Sequence, residues 1–235
     1  MNTTGRSTWW WRALLIVARV ILAPFCRLRV CGELPPGPVI LAANHINPVD
    51  PVVLMAACHT RRADPRFLAD AAAFHLPLVG AVLRHAGHIP VRRGTTAVSA
   101  ALVCAVDAVR AGATVLVYPE GRIGLDPGMW PERGKTGAAR LALATGAPVV
   151  PVAQWGAHEL VPYAAPRGAV RGLARALMRR PVVRVRFAPP VDLTGARTAR
   201  EATDRIITAI TDTLRPLRPD EPDRPRHADP TRPAL

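Results

Sequence analysis

Serine and lysine are scarce in this 235-residue chain, and the shortage closes off whole classes of chemistry. The only serines are Ser7 and Ser99, and neither sits in a Gly-x-Ser-x-Gly turn, so a serine hydrolase has no nucleophile to offer. The four cysteines, Cys26, Cys31, Cys58 and Cys104, lack paired Cys-x-x-Cys spacing and have no histidine cluster beside them. That pattern speaks against a metal site and reads as small buried thiols in a reducing compartment. There is no Gly-rich nucleotide loop and no internal repeat. Also missing is an uninterrupted apolar run of roughly 20 residues, the length a membrane-spanning helix needs.

What is present is a 49% hydrophobic chain with a formal net charge of +14, enough apolar residues for one α/β domain with a real core. The charge is unevenly placed. Between Met1 and Gly32 stand Arg6, Arg12, Arg19, Arg27 and Arg29 with no acid, interleaved with Trp9, Trp10, Trp11 and an aliphatic stretch. This is the composition of an interfacial helix that lies on anionic lipid, its aromatic cluster at the headgroup level. Residues 1–31 are therefore expected to be a membrane-associated helical segment. A second basic zone carries Arg171, Arg175 and Arg179 on one helical stripe, opposite Leu173, Leu177 and Met178. It reads either as a membrane-facing amphipathic helix or as a solvated helix of the domain. From Pro216 to Leu235 four arginines balance four acids in a proline-rich tail, which is expected to be disordered. Residues 32–215 remain as the domain.

Within that domain the chemistry-bearing pattern is Asn44-His45-Ile46-Asn47-Pro48-Val49-Asp50, directly after the apolar run 38–43. The run predicts a short buried strand, and the Asn-Pro and Asp-Pro pairs predict a helix opening with Asn47 or Asp50 as its N-cap. A carboxylate one helical turn from a loop imidazole can fix its tautomer and leave the other ring nitrogen free to take a proton. Periodicity further predicts a helix over about 50–60, a strand near 66–69, an apolar helical segment over 71–84 and a strand over 87–92. A helix over 96–111, a strand over 114–118, a helix over 135–145, strands at 148–154 and 182–187, and a helix over 198–214 follow. Strands alternating with helices imply a mixed, mostly parallel sheet flanked by helices. The turn residues then fall at strand ends, where open α/β sheets hold ligands.

Three further segments follow in order: Gly87-His-Ile-Pro-Val-Arg-Arg93, Val115-Leu-Val-Tyr-Pro-Glu-Gly-Arg122, and Val149-Val-Pro-Val152. Together with Asn44-His45…Asp50 they resemble the four sequence blocks of the glycerolipid acyltransferases, the 1-acylglycerol-3-phosphate (lysophosphatidate) acyltransferase family. The resemblance runs from about Val30 to about Gln154. It implies that His45 is a general base oriented by Asp50, and that Arg93, Glu120 and Gly121 hold and shape the acceptor's phosphate site. The physics agrees, since a phosphomonoester needs a fixed cation and backbone N–H donors. Glu120 would itself repel phosphate, so its part is to position a basic group or backbone amides.

The third block departs from the family's Phe-Pro-Glu-Gly-Thr-Arg-Ser. Here Arg122 is displaced by one position and both hydroxyls are gone, Gly124 standing at the last of these places. That puts the acceptor's identity, more than the reaction type, in question. Lys135, the only lysine, reads either as a further phosphate or donor contact or as a solvated loop residue. The resemblance implies an enzyme that moves a fatty acyl group to the hydroxyl of lysophosphatidate, giving phosphatidate. It would use acyl-CoA or acyl-carrier protein as co-substrate and no metal or other cofactor, at the cytoplasmic face of the cell membrane. The same chemistry on glycerol 3-phosphate, another lysophospholipid or a glycolipid is the alternative. From a different class, a non-catalytic basic protein binding membrane or nucleic acid also fits the charge, although no recognition motif for nucleic acid is present.

Overall fold

The computed structural model describes residues 9–92, 97–221 and 223–233, and the side chains of 9–12, 97 and 98 lie outside the description. Among the described residues seven strands and seven α-helices follow one another: α1 (Trp9–Leu22), β1 (Arg27–Cys31), β2 (Ile40–Ala43), α2 (Asp50–Thr60), β3 (Arg66–Asp70), α3 (Pro77–His85), β4 (Ile89–Val91), α4 (Ala97–Arg110), β5 (Val115–Val117), α5 (Gly137–Thr145), β6 (Val149–Trp155), α6 (Ala169–Arg179), β7 (Val182–Phe187) and α7 (Ala199–Leu214). They form one seven-stranded sheet in the order β1-β7-β6-β2-β5-β3-β4. Every pair is parallel except β6 with β7. The mixed, mostly parallel sheet flanked by helices is thus as expected.

The central strand β2 shows why. All four of its residues are buried, because parallel neighbours lie on both edges and helices on both faces. Alternation sends Leu41 and Ala43 into a core shared with α1, α2 and α6, while Ile40 and Ala42 enter a second core with α4, α5 and α7. The chain leaves β2 through α2 toward β3, and leaves the adjacent β5 through α5 in the other direction, toward β6. Neighbouring strands whose connections part in this way open a crevice at their carboxyl ends.

The expected helix over 71–84 divides at Leu76-Pro77. Leu76 is extended, as residues before proline are, so a 3₁₀ turn at Ala71–His75 precedes α3. Neither Asn47 nor Asp50 caps α2 in the expected way: the N-cap position is Val49, which makes no side-chain cap bond.

The expected boundary at residue 31 does not separate an anchor from a domain. β1 is the sheet's edge strand, in register with β7. Its alternating arginines kept it from reading as a strand. Leu15, Ala18 and Leu22, one face of α1, are buried. The opposite face leaves Ile16, Val17, Val20 and Ile21 exposed, Val20 at 64%. Among the described residues no helix is long and apolar enough to cross a membrane. In α6, Ala176 is buried and Leu173 packs on the core, whereas Leu177 and Met178 face solvent beside the exposed arginines. In the tail, whose composition suggests disorder, Arg218 and Arg232 have partners in the domain. Arg218 is 2% exposed and lies between the rings of Trp130 and Trp155, with its guanidinium carbon 4.1 Å and 4.0 Å from their centres.

Candidate active site

His45 stands two residues past β2, at the crevice between β2 and β5. Asn44 before it continues the sheet with side-chain chemistry. Gln154 N donates to Asn44 Oδ1 at 2.8 Å, Asn44 Nδ2 donates to Gln154 O at 3.0 Å, and Gln154 Nε2 donates to Asn44 O at 2.9 Å. Both residues are buried. This fixes the chain direction entering His45. Asn47 Nδ2 reaches Val161 O at 2.8 Å and fixes the chain leaving it.

Between those two ties, one oxygen of Asp50 gathers three donors. Ile46 N lies 2.6 Å away, Asn47 N 2.8 Å and His45 Nδ1 2.9 Å. A carboxylate accepts, so the imidazole carries its proton on Nδ1 and presents Nε2 as the basic nitrogen. Asp50 is fully buried while the His45 side chain keeps 15% of its surface exposed. The imidazole stacks on Tyr118, ring centres 4.1 Å apart and planes 19° from parallel. Burial pushes the Tyr118 phenol well above its usual pKa, which keeps the ring neutral.

Glu120 and Gly121 follow β5. Glu120 is buried, and its two oxygens accept from His45 N and Glu132 N, each at 3.1 Å. Burial raises its pKa from 4.5 to about 7, against the lowering effect of those two bonds. It positions backbone amides, one of the parts foreseen for it. Gly124 N donates to His45 O at 2.7 Å, and a Cβ on Gly124 would stand 2.9 Å from Glu120 Oε2. That contact accounts for glycine at the last position of the third block: the loop closes onto the buried carboxylate. At Gly121, φ is +71° and a Cβ would stand 2.9 Å from Lys135 Cδ, so the lysine stem lies over this glycine turn.

Arg122 does not stand free. Its Nη2 is 2.6 Å from Glu132 Oε2, while Glu132 Oε1 accepts from Leu125 N at 2.7 Å and Asp126 N at 2.9 Å. Glu132 was missed from the sequence; it lies in an aperiodic loop, ten residues from the arginine it binds. Arg93 lies outside the described residues. The described cations at the cleft are Arg122, Lys135 and Arg140, the last also unforeseen. Among the described residues, no group of three or more histidine, cysteine or acidic side chains is placed to hold a metal ion.

His45, Tyr118, Gly121, Arg122 and Lys135 open onto one cleft of about 620 Å³. Beyond them its walls are mostly apolar, with Met55, Phe67, Leu68, Leu83, Leu102 and Leu141, and Asp70, His88, Thr136 and Arg140 also line it. A base at the mouth of an apolar cleft with cations at its rim suits a substrate with a long hydrocarbon part and a polar reacting end.

The geometry thus defines a histidine–aspartate pair at the switch point of a mixed α/β sheet. A family model described as Acyltransferase matches residues 27–155, and the chain belongs to that family. A 1-acyl-sn-glycerol-3-phosphate acyltransferase from Brassica napus is 26% identical over 171 residues, covering 70% of this chain and 48% of its own length. A lyso-ornithine lipid O-acyltransferase from Pseudomonas aeruginosa is 32% identical over 148 residues, covering 63% of this chain and 53% of its own. An uncharacterized Mycobacterium tuberculosis protein is 32% identical over 139 residues, 54% of this chain and 36% of its own. The chain thus spans about a third to a half of these relatives' length. The crystal structure of the 1-acyl-sn-glycerophosphate acyltransferase PlsC from Thermotoga maritima shares the fold. Its TM-score is 0.69 at 21% identity, over 88% of this chain and 79% of that one.

Proposed function

We propose that the protein is an O-acyltransferase that moves a fatty acyl group from acyl-CoA or acyl-carrier protein to the free hydroxyl of lysophosphatidate, giving phosphatidate. The observation that carries this reading is the His45–Asp50 pair, at 2.9 Å, opening onto the apolar cleft. His45 Nε2 takes the acceptor's hydroxyl proton as its oxygen attacks the thioester carbonyl. Asp50 stabilises the imidazolium that forms. The tetrahedral adduct collapses, the carbon–sulfur bond breaks, and the imidazolium returns the proton to the leaving thiolate. The apolar walls take the acyl chain, and Arg122, Lys135, Arg140 and Arg93 supply the charge that meets the acceptor's phosphate. The reaction so written needs no metal and no cofactor beyond the acyl donor.

The acceptor is a membrane lipid, and two helices suit a lipid surface. Arg180, just past α6, donates through Nη2 to Ala23 O at 2.9 Å, and Arg27 Nε donates to Arg180 O at 3.1 Å. These bonds tie the residue that ends α6 to the chain between α1 and β1; α1 leaves Ile16, Val17, Val20 and Ile21 exposed, and α6 leaves Val170, Leu177, Met178 and the Arg171–Arg175–Arg179 stripe exposed. Anionic lipid at the cytoplasmic face of the cell membrane is the surface this composition fits.

One observation favours a second acceptor. Glu132 already neutralises Arg122, which leaves less charge for a phosphomonoester than the third block suggests. A lysolipid without that group, such as the one named for the Pseudomonas relative, would not need the charge of Arg122. The test is incubation of the protein in liposomes with labelled acyl-CoA or acyl-carrier protein and a panel of acceptors, followed by lipid analysis. Labelled phosphatidate is expected. Label in another acylated lysolipid alone would select the second reading, and label released only as free fatty acid would overturn both.

A further inference from the structure

The tail returns to the face that carries His45, and two of its arginines, Arg218 and Arg232, donate to backbone carbonyls of the domain. Arg218 Nη1 donates to Gly128 O at 2.6 Å. Asp229 accepts from Tyr163 N, which ties the segment down three residues before Arg232. Arg232 then reaches the turn itself: Nη2 donates to Ile46 O at 2.6 Å, and Nη1 donates to Gly124 O.

Those two carbonyls belong to the peptides that hold the base. Gly124 N donates to His45 O at 2.7 Å, so the guanidinium closes a ring that runs from His45 through Gly124 back to Ile46. The Ile46 carbonyl shares its peptide group with Asn47 N, which donates to Asp50 Oδ2 at 2.8 Å. A cation on the carbonyl end of a peptide polarises it and strengthens donation from its N–H. Ile46 and Gly124 are both buried, so without Arg232 two carbonyls would lose a charged donor where water has little access.

We infer that Arg232 is a positioning residue for the acyl-transfer site, acting through the Ile46 and Gly124 carbonyls to hold His45 and Asp50 in register. The inference rests on the reading of His45 as the base. Its test uses the full chain with Arg232→Ala, a truncation ending at Asp229, and Arg226→Ala as a control in the same tail. Two readouts are taken: steady-state acyl transfer, and the NMR resonance of the His45 Nδ1 proton, which reports the bond to Asp50.

Arg232→Ala lowers kcat by about ten- to a hundredfold, the scale on which a misplaced catalytic group costs rate, with KM for the thioester little changed. The Nδ1 proton shifts or broadens, added guanidinium ion restores part of the rate, and Arg226→Ala alters neither readout. A kcat within about twofold of the parent, with the Nδ1 signal unmoved, would overturn the inference. So would loss of fold in both Arg232 variants, which would make the segment a folding element only. If His45→Ala keeps its turnover the base reading fails, yet the Nδ1 signal still decides whether Arg232 holds the turn.

Discussion

On the His45 wall of the cleft, Asn44, Asn47, Asp50 and Gln154 are all buried, and their hydrogen bonds leave the imidazole one orientation. On the facing rim, Arg122, Lys135 and Arg140 are exposed, and Arg122 is held by a single carboxylate partner, Glu132. The first wall spends burial on geometry and the second leaves long side chains free to adapt. A proton transfer tolerates little displacement, whereas recognition of a charged headgroup tolerates much more. On this account the turn sets the reaction and the rim sets the acceptor. Glu120 connects them, one oxygen on His45 N and the other on Glu132 N.

Asp50→Asn is the sharpest way to test the first wall. The amide cannot favour the same imidazole tautomer, so kcat is expected to fall on the order of a thousandfold or more while the thioester still binds. Steady-state kinetics on a short-chain acceptor check this. A smaller and different effect is expected at the rim. Arg122→Ala should raise the acceptor's KM by about tenfold, the loss of one charge-assisted hydrogen bond, with kcat nearly unchanged. If it lowered kcat as much as Asp50→Asn does, the division between walls would be wrong. An unchanged KM would instead mean that Glu132 keeps Arg122 away from the acceptor.

The smallest effect concerns Glu120 and is read in stability. Its pKa is raised by burial from 4.5 to about 7, so the folded chain holds this proton more tightly than the unfolded chain does. The stabilisation is therefore fully present below about pH 4.5 and is lost as pH rises through about 7. The thermal midpoint of the parent should decline over that window, and Glu120→Gln should flatten the decline. Equal slopes in the two proteins would remove Glu120 from the account.

The His45–Asp50 pair was legible because its two residues are five apart and bounded by a buried strand and a proline-opened helix. The sheet was legible because its central strands are continuous apolar runs. What escaped shares a physical cause: arginines doing structural work. In β1, Arg27 and Arg29 alternate with Leu28 and Val30, an edge-strand pattern that looked like part of a basic anchor. In the tail, proline and arginine composition suggested disorder, yet Arg218 stacks between two tryptophans and Arg232 binds carbonyls far away in sequence. The Glu132 partnership depends on a loop with no periodicity, so spacing could not reveal it.

The most direct test of the central claim is single-turnover acyl transfer by the parent and His45→Ala, using a short-chain soluble acceptor so that membrane binding does not enter. Loss of a positioned general base predicts a fall in rate of roughly a hundred- to ten-thousandfold, with the acyl donor bound as before. Turnover near that of the parent would contradict the account and move the proton transfer to another group.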